Sequence, residues 1–130
     1  MWFKQAKTLD GWVDAYLEAN EVPVEQRDMS GPHWWPIERA MVTSRQVSPD
    51  TLWEFILAVL ARNPPEHTFY CLAAGPLEEL IGHFGADFID RIESVARVDE
   101  AFRELLHGVW KPPGVSAEVW QRVELARGDI

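Results

Sequence analysis

Cysteine is nearly missing: Cys71 is the only one in 130 residues, so no disulfide can close within the chain. No apolar run approaches the roughly 20 residues needed to cross a bilayer. Basic residues are scarce, with 12 Lys and Arg against 21 Asp and Glu, for a net charge of −9. Residues 1–65 hold six basic and nine acidic groups, whereas residues 66–130 hold six and twelve. Such a surface repels phosphate backbones and anionic lipid, which argues against nucleic acid and membranes as direct partners. It would steer in a basic protein partner, and it also serves the plain purpose of solubility. The opening residues, Met1 to Lys7, lack the long apolar stretch of a secretory signal. With the single cysteine, this gives the expectation of a reducing, cytoplasmic setting. The closing Arg-Gly-Asp-Ile holds no retention or lipidation signal. A Gly-rich phosphate loop, an HExxH helix and a GxSxG elbow are all missing.

What is present suits a folded core. Hydrophobic residues make up 47% of the chain and charged residues 25%, with seven Trp, six Phe and two Tyr. A chain of this length buries roughly two-thirds of its unfolded surface and needs no staple.

The periodicity is helical almost throughout. Leu9, Trp12, Val13, Tyr16 and Leu17 share a face behind Thr8 as N-cap, and Pro23 closes that region. Residues 21–35 read as an irregular loop broken by Pro23, Gly31 and Pro32. Pro36 opens a short helix carrying Ile37, Ala40 and Met41. Ser48-Pro49-Asp50 is a strong helix start, and the apolar run from Leu52 to Leu60 behind it predicts a buried helix ended by Asn63-Pro64-Pro65. A short helix covers 66–74, and Gly75-Pro76 reads as a stop followed by a new start. Leu77 to Phe84 form the next helix, which Gly85 breaks, and Phe88 to Ala96 the one after. Asp99 caps a helix through Leu106 that runs towards Val109 and Trp110, and Pro112-Pro113-Gly114 breaks the chain. Ser116 caps a last helix that Gly128 ends. The expected fold is all-α: one compact domain over 1–130, of seven or eight short helices in stacked antiparallel hairpins, somewhat like an α-solenoid. No alternating segment or hairpin turn argues for a sheet.

Leu72-Ala-Ala-Gly-Pro-Leu-Glu-Glu-Leu80, Phe88-Ile-Asp-Arg-Ile-Glu93, Gly108-Val-Trp110 and Glu118-Val-Trp-Gln-Arg-Val123 together carry a family resemblance. With Trp53 to Arg62 upstream, they resemble a family of small bacterial helical domains without an assigned function. The resemblance covers roughly residues 50–125, and the loop from Glu21 to Pro36 lies outside it. It implies a bacterial, mostly helical protein and brings no catalytic residue or cofactor.

Candidate chemistry is sparse. Glu79 and His83, four apart, could face one way from a helix, with Asp87 next in the same spacing. A helix break at Gly85 would separate them, so no metal is expected. Cys71, among Phe69, Tyr70, Leu72 and Ala73, reads as a small buried hydrophobe, with His67 one turn back. Glu78 and Arg91 are nearly equidistant from Gly85, so a hairpin there would pair them as a structural ion pair. His33, Trp34 and Trp35 form the main candidate contact surface, since adjacent Trp residues cannot share one face and Trp is frequent at interface hot spots. These residues equally fit a core covering. The expected function is a non-enzymatic acidic interaction module without a cofactor, in its most concrete form an inhibitor or immunity-type protein masking a basic partner. One alternative is a small enzyme using carboxylates with His83 or His33. Another is a homo-oligomer subunit joined through Trp2, Phe3 or the Trp34-Trp35 pair.

Overall fold

A computed structural model describes residues 8–26, 31 and 33–128. Every regular element among them is helical: α1 (Leu9–Glu21), α2 (Trp35–Gln46), α3 (Pro49–Leu60), α4 (Glu66–Leu72), α5 (Glu78–Val98), α6 (Glu100–His107) and α7 (Ala117–Arg127). A single 3₁₀ turn, Val24–Gln26, lies in the connection after α1, and a π-helical turn, Ala73–Leu77, joins α4 to α5. With α4, the π turn and α5 counted as one continuous run, the described residues hold six helical stretches, slightly fewer than the seven or eight expected. None is long and apolar enough to cross a membrane. Trp2 and Phe3, proposed from sequence as contact residues, lie outside the described residues.

The helix starts follow local chemistry. The side chains of Thr8, Ser48, Asp99 and Ser116 accept from the backbone N–H three residues ahead, at Gly11, Thr51, Phe102 and Val119 (3.0, 3.3, 3.3 and 3.1 Å). Each bond satisfies one of the donors that a helix start leaves unpaired. Pro49 and Pro36 occupy the first turns of α3 and α2, where the missing N–H costs nothing. Gly128 ends α7 in the left-handed conformation, φ 93°.

Two of the expected breaks are continuous helix. Gly75-Pro76 does not stop one helix and start another; the backbone passes through it in a π turn. Proline in an α-helix lacks a donor and collides with the carbonyl four residues back, and the wider π turn accommodates it. Nor does Gly85 end a helix: α5 runs through it to Val98 and only bends, at Phe84 (φ −135°, ψ 19°). Gly85 is buried because α7 crosses there. A Cβ on it would stand 2.9 Å from Val119 Cγ1, so glycine permits a close approach of two helices.

The chain, read from sequence as one domain, divides by its internal contacts into two compact units, one ending at Thr68 and the other starting at Phe69. In the first, α1, α2 and α3 pack against each other around Trp12. Its ring stacks on Phe55 (centroids 3.7 Å apart), and Tyr16 meets Phe55 edge-on at 5.1 Å. The Trp12 indole N–H donates to the Pro36 carbonyl (3.0 Å), and the Arg39 guanidinium lies 4.4 Å from the Trp12 ring centre. One side chain thus binds three helices, with its single polar atom satisfied.

In the second unit α5, α6, α7 and the π turn pack together. Arg122 on α7 grips α5. Its Nε donates to Glu93 Oε2 (3.0 Å), and its Nη2 to Glu93 Oε1 (2.6 Å) and Asp90 Oδ1 (2.7 Å). The bidentate bond holds the Glu93 carboxyl below its ordinary range, and the two carboxylates hold the guanidinium above its own. Arg103 Nη1 donates to the Ala96 carbonyl at the end of α5 (2.6 Å).

Candidate functional site

The residues singled out in the first unit are part of its wall. His33, Trp34 and Trp35 are all half-buried, rather than one anchored and one free. The Trp34 carbonyl accepts from Ile37 and Glu38 at the start of α2, and its indole N–H donates to Glu38 Oε2 (3.0 Å). The indole's one polar atom is therefore already used within the helix it precedes.

The hairpin that would pair Glu78 with Arg91 does not form, because both residues belong to α5, thirteen positions apart. Glu78 Oε1 instead accepts the backbone N–H of Trp110 (3.1 Å), and the Arg91 guanidinium lies 4.6 Å from the centre of the Phe88 ring, one turn away. The expected i, i+4 contact on α5 does form, with His83 Nε2 3.4 Å from Glu79 Oε1. Among the described residues no three His, Cys, Asp or Glu side chains are grouped to hold a metal ion. Cys71 is half-buried, more open than its apolar neighbours suggested.

The second unit presents a different cleft, which the sequence reading missed. Helix α6 stops at His107, so Val109 and Trp110 do not continue it. Gly108 lies against the π turn: a Cβ on it would be 2.8 Å from Ala73 Cβ and 3.2 Å from Tyr70 Cδ1. That close approach, with the Glu78 bond to the Trp110 N–H, fixes the strand of backbone leading out of α6. Val109 then points inward, 3% exposed, while Trp110 stands 80% exposed. Lys111 follows, exposed, and Pro112 is buried again where the chain passes Gly82.

Across from this segment, α7 supplies Trp120 and Arg127. The Arg127 guanidinium lies 5.2 Å from the centre of the Trp120 ring, and its Nη1 reaches the carbonyls of Leu106 and Val109 (3.4 Å each) near the end of α6. A cation at the C-terminal end of a helix is favoured by the helix dipole. His107, Val109, Trp110, Lys111, Trp120 and Arg127 enclose an open cleft of about 280 Å³. Among the described residues its lining has Lys111, Arg127 and His107, two indoles and no carboxylate, on a chain with nine more Asp and Glu than Lys and Arg. An exposed indole beside cations offers apolar area, ring faces and donors together, a composition found at binding hot spots.

One signal in the sequence points to this placement of Trp110. Gly108 is a helix stop, and Pro112-Pro113-Gly114 blocks any continuation, so only a loop fits between them. Read that way, Trp110 and Lys111 are surface residues on a short tether.

No curated protein and no solved structure matches the chain. A family model matches residues 24–130, a longer stretch than the 50–125 of the sequence resemblance, and it takes in most of the loop that the resemblance left out. The chain therefore belongs to the family of unknown function DUF6869.

Proposed function

We propose that the chain is a non-enzymatic protein-interaction module of the bacterial cytoplasm, and that it engages its partner through Trp110. The observation that carries this reading is a large indole left 80% exposed while its own backbone N–H is pinned to Glu78. Exposing an indole costs apolar burial, and pinning its backbone fixes the point from which the side chain projects, which favours a preorganised anchor. An inhibitor or immunity-type role is the most concrete form of the reading. The acidic surplus would then speed encounter with a partner of opposite net charge, while the anchor sets how long the complex lasts.

The test is capture from a lysate of the native host by the wild-type chain and by Trp110→Ala, at low and high salt. One protein retained by the wild type and lost with Trp110→Ala supports the reading. Equal retention by both refutes the anchor.

A further inference from the structure

The cleft beneath Trp110 has a charge opposite to that of the chain. Two of the 12 Lys and Arg residues, Lys111 and Arg127, line it together with His107, and among the described residues no Asp or Glu does. A basic side chain entering here would meet like charge, so the cleft accommodates an acidic segment of the partner, whatever basic surface the overall charge steers in. The two indoles cover the apolar part of an occupant. Lys111 and His107 stand exposed at the edge, where they reach groups that remain partly in water. Arg127 forms the floor, its guanidinium held between the Trp120 ring and the last carbonyls near α6.

We infer that the cleft binds an acidic peptide segment of a protein partner, one with an aromatic or large aliphatic residue flanked by Asp or Glu. The apolar side chain packs between Trp110 and Trp120, and the flanking carboxylates face Lys111, His107 and Arg127. This inference rests on the interaction reading above and adds the chemistry of the occupant. Within a chain of net charge −9, such a cleft makes binding selective. An acidic segment lacking the apolar residue is repelled by the rest of the surface, and an apolar segment lacking carboxylates gains no attraction from the basic side chains.

The test titrates the full chain with three blocked pentapeptides: Asp-Glu-Phe-Glu-Asp, its Asn/Gln counterpart and its Lys counterpart. The indole N–H signals of the seven Trp residues are followed by NMR. The acidic peptide is expected to bind with a Kd of about 1 mM or tighter, shifting the Trp110 and Trp120 signals. Lys111→Glu, at an exposed position, should weaken it about tenfold, and raising salt should weaken it similarly. Circular dichroism of the variant checks that its fold is intact. Binding of the Asn/Gln or Lys peptide as tightly as the acidic one overturns the inference, as does silence from all three peptides or a shift confined to other indoles. The two readings fail separately. Partner capture that depends on Trp110 but is indifferent to Lys111→Glu keeps the interaction module and removes its acidic ligand.

Discussion

Gly108→Ala tests how the Trp110 segment is held. The new methyl would stand 2.8 Å from Ala73 Cβ, 3.2 Å from Tyr70 Cδ1 and 3.4 Å from the Leu105 carbonyl oxygen. Carbon atoms rest about 3.5–4.0 Å apart, so the closest contact falls short by about 0.7 Å or more. Ala73 cannot rotate its methyl away, because a Cβ moves only with its backbone, here the π turn. Overpacking of this kind costs about 1–3 kcal/mol. Against it stands a gain of about 0.4–1 kcal/mol, because alanine narrows the unfolded ensemble. The native backbone at Gly108, φ −84° and ψ −3°, is open to alanine, so no strain adds to the sum. The net expectation is a loss of about 1–2 kcal/mol. Gly75→Ala is the control: nothing lies within 4 Å of its added methyl, and only the stabilising effect should appear.

Urea unfolding of both variants measures the difference. With a slope of about 2 kcal/mol per molar urea, the two midpoints should separate by roughly 0.7–1.5 M. A double-mutant cycle with Ala73→Gly isolates the contact, and a coupling of about 1 kcal/mol is expected. The Trp110 amide proton should also shift in Gly108→Ala, because relieving the clash moves that N–H relative to Glu78. Gly108→Ala as stable as Gly75→Ala, or a cost unchanged by Ala73→Gly, would refute the steric account.

Phe55, fully buried and stacked on Trp12, should cost about 3–5 kcal/mol as Phe55→Ala; thermal unfolding checks this, and a loss under 1 kcal/mol would mean the aromatic stack does not carry the first unit. The acid limb of stability should contain a contribution from Glu93. Its folded carboxyl sits below the unfolded value because Arg122 donates to it, so the contribution is complete above the unfolded value and is lost as pH falls through the folded one. Glu93→Gln should flatten that limb in a series of urea midpoints below pH 5, and an unchanged limb would show that the Arg122 grip adds nothing.

What could be read from the sequence was the local chemistry. Thr8, Ser48, Asp99 and Ser116 each start a helix with a side chain and a backbone N–H three residues apart, and nothing distant can disturb so short a bond. The all-helical class followed from the same short-range periodicity. Glycine and proline were harder, because each has two uses. Gly85 and Gly108 look alike in sequence, yet one lies inside a bent helix beneath Val119, and the other ends a helix against Ala73. Pro76 looks like a helix start and is housed in a π turn. The error at Gly85 produced the error at Glu78 and Arg91, since their pairing depended on a hairpin there. Trp34 and Trp35 are adjacent in sequence, but adjacency says nothing of exposure. Among the described residues the indole that stands in solvent is Trp110, and its setting depends on Glu78, 32 residues earlier.

The segments that carry the family resemblance meet in the second unit through specific side-chain and backbone fits as well as through their buried apolar faces. Ala73 meets Gly108, Glu78 holds the Trp110 N–H, Asp90 and Glu93 hold Arg122, and Trp120 carries Arg127 over its ring. Each contact lies within or between elements that bound the cleft or support it. Arg122 ties α7 to α5 and so fixes Trp120; Gly108 and Glu78 fix Trp110. The backbone positions from which the two indoles project are therefore set by three supports, each outside the cleft lining. Surface and support should then separate cleanly. Trp110→Ala removes the anchor and keeps the backbone bond to Glu78, so it should abolish binding with stability intact. Gly108→Ala keeps the indole and displaces its backbone, so it should lower stability and binding together. A Gly108→Ala chain that binds as well as the wild type would show that the position of Trp110 is not what the partner reads.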